Sequence, residues 1–317
     1  MSFLLGTTLV AVVMAVACAL PGVFVVLRKN SMLVDGIAHA VLPGIIVGYA
    51  FSQNLDSPWL ILGAALAGLV VVLGNEYLTR TGLLAGDAPQ GLVFPALFSI
   101  GVIMVTANFA NIHLDTHAVL VGDLNLASFQ QLNLQMPGRA DVVSLGPVYL
   151  YVMLAVLLVN VVFHAVYYRH LKLTTFDSQF ARALGIPTGT LNTVFMFLVS
   201  VTVTAAFNGA GAILVIALVV VPPATAYLLT DRLPVVFGLT IAIAAIGALG
   251  GFWAAYAVNA ATSAGMSVFY GVVFLLVLVI SRSARSWKRK ASFNRSTGTM
   301  RVPAASADAG AIDEPAG

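Results

Sequence analysis

Two ionisable side chains stand four residues apart inside an apolar stretch, Asp35 and His39 in SMLVDGIAHAVLPG. On a helix that spacing puts a carboxylate and an imidazole on one face. An ionisable group at membrane depth costs several kcal/mol and marks a pathway or a partner. Such a pair is a half-site for a divalent transition metal. It reads equally as an Asp–His hydrogen bond locking helices together, or as an aspartate at the water interface near Lys29. A second group, His113, Asp115 and His117, places three possible ligands in five residues, on one side of an extended segment. A solvated polar loop would have the same composition. A third stretch, Phe176-Asp177-Ser178-Gln179-Phe180-Ala181-Arg182-Ala183-Leu184-Gly185, mixes aromatics with charges. It predicts a short amphipathic helix over 178–184, stopped by Gly185 at the C′ position with Pro187 beyond. Such a helix could dock a partner or lie in the lipid interface.

The elements that must position these groups follow from composition. Of 317 residues 60% are hydrophobic and only 9% charged, against roughly 25% charged in a soluble domain. A globular surface cannot be covered with so little charge, and fibrous, disordered and nucleic-acid-binding classes are excluded with it. A bilayer core about 30 Å thick takes roughly 20 apolar residues per helix. That ruler finds nine runs, at about 3–27, 35–52, 59–78, 90–108, 146–168, 189–207, 211–230, 234–257 and 265–281. The first has no basic residues before it and reads as a retained span rather than a signal peptide. The runs 189–207 and 211–230 meet at Asn208-Gly209-Ala210-Gly211 with almost no loop, so the count is eight or nine. The fold class is an all-α polytopic membrane protein.

Fourteen of the 15 basic residues fall in alternate loops, and the other set of loops holds only Arg139. By the positive-inside rule the first set is cytoplasmic, which puts the N-terminus outside and the C-terminus inside. Residues 1–283 are then a membrane domain. Residues 284–317 form a basic tail that turns low in complexity and is expected to be disordered, its cationic part suited to anionic lipid headgroups. Pro222 and Pro223 should kink the seventh run near its inner end. Glu76 and Arg80 pair i,i+4 at an inner helix end. His164 and His170 read as anchoring or solvated groups, and the single Cys18 excludes a disulfide framework. No G-x-x-x-x-G-K-[ST] is present, so there is no P-loop for ATP, and no H-E-x-x-H.

Together these motifs resemble the manganese/zinc/iron permease family of ABC transporters. SMLVDGIAHAVLPG is similar to its second-span motif, TTFDSQFARALGIP to its inner coupling segment and GAILVIALVVVPPATAYLLTDR to its late-span motif. HLDTHAVLVGDL resembles its outer-loop segment, and the matches run in order to about residue 282. The resemblance implies a non-enzymatic permease subunit of a divalent-metal importer in the bacterial cytoplasmic membrane. A cytoplasmic ATPase dimer, an extracytoplasmic solute-binding protein and a second permease subunit, a homodimer partner, would be its partners. It implies transported zinc or manganese, with iron also open, and no permanently bound cofactor. Asp35 and His39 would be the transit ligands, and Phe176, Asp177, Phe180, Ala181, Arg182 and Gly185 would couple to the ATPase. His113, Asp115 and His117 would form an outer capture site. A vitamin- or siderophore-type permease, and a proton-coupled carrier using Asp35 and His39 as a relay, are the alternatives.

Overall fold

The computed structural model describes residues 3–53, 58–84, 86–108, 122, 124–135 and 142–298. Its elements are α1 (Phe3–Leu27), α2 (Ser31–Ser52), α3 (Pro58–Arg80), α4 (Ala88–Asn108), α5 (Leu124–Ala127), β1 (Gln131–Gln135), β2 (Val142–Pro147), α6 (Val148–Phe176), α7 (Ser178–Ala183), α8 (Thr188–Leu229), α9 (Leu233–Ala257) and α10 (Thr262–Gly298). The chain divides into two units, Met1–Val277 and Leu278–Gly317. Among the described residues eight helices are long and apolar enough to cross a membrane. Helices suit this because hydrocarbon offers no partner for backbone polar groups, so each segment must satisfy its own. Four hydroxyls inside the spans follow the same rule. Thr7, Thr8, Thr202 and Thr225 each donate to the carbonyl four residues back.

The longest helix, α8, counts 42 residues but contains one non-helical residue, Gly211, at φ 73° and ψ 169°. Contacts show that the chain reverses there. Phe195 meets Phe24 edge to face, with centroids 6.2 Å apart, while the Val219 carbonyl packs against Gly22. A straight helix would carry positions 195 and 219 roughly 36 Å apart. They touch α1 two residues apart, so 188–210 and 211–229 run antiparallel, each long enough to cross. Among the described residues the nine apolar runs read from the sequence therefore fall in eight helices, two of them in α8. A positive φ favours glycine at the reversal.

α1 is buried along most of its length and is packed by α6, α8 and α9. α2, α3 and α4 form a second group that meets α8. The α2–α3 contact is backbone to backbone at Gly44, Gly48 and Gly63, small residues spaced four apart in α2. Buried tyrosines satisfy their hydroxyls internally. Tyr149 donates to the Ala205 carbonyl at 2.6 Å and Tyr270 to the Ala244 carbonyl at 2.5 Å.

Arg28, Arg80, Lys172 and Arg232 gather at one end of the first unit. Arg28 bonds the last turn of α6 and the start of α8. Arg80 lies beside Gly189, and Lys172 and Arg232 line one cavity. At the other end Phe3 contacts Phe129, Pro147 packs on Gly6, and Gly122 on Ala210 and Gly211. Two features differ from the sequence expectation. An antiparallel ribbon of β1 and β2, with Leu134 opposite Val143, occupies part of what reads as polar loop. Helix α10 continues through the basic stretch to Gly298 instead of ending near 281.

Candidate functional site

Asp35 lies just over one turn into α2, because the helix starts at Ser31 rather than at the aspartate itself. A three-residue join enforces that start. Lys29 takes the left-handed conformation at φ 60°, and the amides of Lys29 and Asn30 close on the carbonyls of Val26 and Val25. This is a Schellman stop made without glycine. His39 Nε2 then stands 3.5 Å from Asp35 Oδ1, with His39 31% and Asp35 32% exposed. The separation exceeds that of a charge-assisted hydrogen bond, about 2.7–2.9 Å. Among the described residues neither side chain hydrogen-bonds to another helix. The imidazole is instead oriented by α4, stacked on Phe94 at 5.6 Å and 19° and edge-on to Phe98 at 5.8 Å. α4 approaches that closely because Gly36 faces Phe94 and Gly101 faces Pro43.

The separation suits a shared cation. With metal–nitrogen and metal–oxygen bonds of about 2.1 Å, two donors 3.5 Å apart would subtend about 113° at the metal, close to tetrahedral. Among the described residues no group of three or more His, Cys, Asp or Glu surrounds such a position. The described residues therefore supply two donors here. His113, Asp115 and His117 lie outside the described residues.

The inner segment has the expected form. Asp177 caps α7, its carboxylate accepting from the Phe180 amide at 2.9 Å. The helix ends in a Schellman motif in which the Ile186 amide reaches the Ala181 carbonyl and the Gly185 amide the Arg182 carbonyl. Gly185 stands at φ 78°. Ala181 is fully buried beneath the helix, whereas Phe176, Phe180 and Leu184 are each more than half exposed. Phe176 also lines a cavity of about 450 Å³ with Lys172, Asp231, Arg232 and Pro234. The result is a short, rigidly capped helix presenting apolar side chains at the basic end.

Other groups take structural places. Glu76 Oε1 accepts from Arg80 at 2.7 Å, and Thr193 reaches Glu76 at 3.5 Å, which ties α3 to α8. His164 is buried among Phe24, Phe163, Phe195 and Phe237, with Nδ1 2.8 Å from the Asn160 carbonyl. Sequence reasoning missed three residues. Phe94 and Phe98 carry a signal, an i,i+4 aromatic pair in GLVFPALFSIG. Arg28 carries none beyond its charge.

The model of the ABC 3 transport family matches residues 1–281. The chain belongs to that family. It is 39% identical over 276 residues to the zinc transport system membrane protein TroD of Treponema pallidum, covering 86% of this chain and 72% of that protein. It is 36% identical over 281 residues to the manganese transport system membrane protein MntD of Bacillus subtilis, covering 89% and 93%. In structure it resembles PsaBC from Streptococcus pneumoniae in complex with Fab, with a TM-score of 0.73 at 23% identity over 92% of this chain and 96% of that one. The family member described here is thus a multi-pass permease of the bacterial cytoplasmic membrane. As a permease of that family it does not hydrolyse ATP itself.

Proposed function

We propose that this permease carries zinc or manganese inward, with ATP hydrolysed on a separate cytoplasmic ATPase dimer that engages α7. Metal arrives from an extracytoplasmic solute-binding protein and crosses between two copies of this chain. The N-terminus is outside and the end bearing Arg28, Arg80, Arg182 and Arg232 is cytoplasmic, since basic residues mark that side. The observation that carries the reading is the Asp35–His39 pair, two donors 3.5 Å apart and part-exposed on one helix face. The zinc and manganese named in its relatives support the cargo. Two copies would supply two carboxylates and two imidazoles. A pair of ligands per copy holds the ion loosely enough to let it go, which transport requires. His113, Asp115 and His117 act as an outer capture point.

Reconstitution tests this. With ATPase and binding protein in liposomes, the wild type should accumulate zinc or manganese only with ATP. Asp35→Ala and His39→Ala should abolish accumulation while the ATPase still docks. Wild-type transport by both variants would overturn the site, and metal moved by the chain alone on a proton gradient would make the pair a relay.

A further inference from the structure

Arg28 sits where three helices meet. Its Nε donates to Thr175 Oγ1 at 3.0 Å, Nη2 to Thr174 Oγ1 at 3.0 Å and Nη1 to Asn192 Oδ1 at 2.9 Å. The guanidinium also lies 5.0 Å from the Phe195 ring centre. Thr174 and Thr175 are in the last turn of α6, Asn192 is in the second turn of α8, and α7 is the segment between them. The two threonines donate in turn to the Leu171 carbonyl, which leaves their oxygens free to accept. Every acceptor is neutral, and among the described residues no carboxylate pairs with Arg28. Burial pushes its guanidinium down to about 10, so it stays charged at neutral pH. A half-buried cation without a counter-charge is a costly way to pack three helices. A planar fork with fixed donors is well suited to joining them rigidly.

On its other side Arg28 has no slack. The bonded turn through Lys29 and Asn30 leads directly into α2, and Asp35 follows seven residues after Arg28. We propose that Arg28 is the positioning residue that transmits displacement of α7 to Asp35 and His39, by holding both flanks of α7 to the start of α2. Mechanical coupling travels through such hydrogen-bonded contacts between rigid elements. The proposal rests on the reading of α7 as the ATPase-docking helix.

The test is metal delivered per ATP hydrolysed by the full complex in liposomes. Arg28→Gln should lower that ratio by roughly tenfold, with hydrolysis within about twofold of wild type. Arg28→Lys restores charge but not the fork, and should recover part of the ratio. Asn192→Ala cuts only the α8 arm and should move the ratio the same way. If transport and hydrolysis fall in proportion, or Arg28→Gln keeps the wild-type ratio, Arg28 only packs helices and the proposal is overturned. Should Arg28→Gln fail to assemble, an unchanged ratio in Asn192→Ala overturns it equally. A wild-type complex that hydrolyses ATP without delivering metal fails the transport reading, which is a separate result.

Discussion

Gly44→Ala should loosen the support of the ligand-bearing helix, and the structure sets the size of the effect. A Cβ on Gly44 would stand 2.6 Å from the Gly63 carbonyl oxygen and 2.8 Å from the Ala64 nitrogen, where ordinary contact begins near 3.4 Å. These neighbours, and the Ala64 Cα that is closer still, are backbone and cannot rotate away, so α2 and α3 must part by at least about 0.8 Å, the difference between 3.4 and 2.6 Å. One turn on, a Cβ at Gly48 would meet the Trp59 carbonyl at 2.5 Å. Tilting the helices to relieve one contact therefore opens or crushes the next. A gap of 0.5–1 Å forfeits about a quarter to a half of each contact's attraction. Overpacking of this kind costs about 1–3 kcal/mol, or a drop of about 2–10 °C in apparent melting temperature. The assay is thermal unfolding in detergent followed by a thiol-reactive dye, because the only cysteine, Cys18, is fully buried and labels on unfolding. Gly271→Ala, with nothing within 4 Å of the new methyl, is the control. It should hold or raise stability by about 0.4–1 kcal/mol through the unfolded chain. A Gly44→Ala protein melting at or above wild type would refute the claim that these glycines fix the α2–α3 separation.

Three further outcomes are expected. Arg182→Glu, or Gly185→Val at a φ of 78° that a β-branched residue resists, should release the ATPase or uncouple its hydrolysis from uptake; normal pull-down with normal uptake would count against α7 as the docking helix. Asp177→Ala removes the cap of a six-residue helix, a loss of about 1 kcal/mol, and should weaken ATPase pull-down without preventing assembly; unchanged affinity would show that α7 needs no cap. The triple variant His113→Ala, Asp115→Ala, His117→Ala should lose uptake at scarce metal and regain it when metal is plentiful, because a capture site raises local occupancy; equal loss at every concentration would mark a folding or docking defect instead.

What was legible in the sequence divides by range. Gly185 could be placed as a helix stop because the signal lies within three residues, an αL glycine followed by proline after one intervening residue. The reversal at Gly211 was legible too, since two spans meeting at Asn208-Gly209-Ala210-Gly211 leave the turn to glycine. Asp35 and His39 could be paired because four residues on a helix fix their relation, although the true start of α2 at Ser31 sets them deeper than expected. The partners of Arg28 lie 146 to 164 residues away, and a count of charges by side treats every cation alike. Phe94 and Phe98 were hidden for a different reason. In a soluble helix the apolar face points inward, but lipid is as apolar as a helix neighbour, so hydrophobicity does not tell which side of α4 meets His39. Residue size does. Gly36 against Phe94, Gly101 against Pro43, and Gly44, Gly48 and Gly63 against backbone mark each face where helices close on one another. In this chain, then, glycines carry the packing information that hydrophobic periodicity carries elsewhere. The helix that holds the ligand pair is positioned through them, from α3 on one side and from α4 on the other.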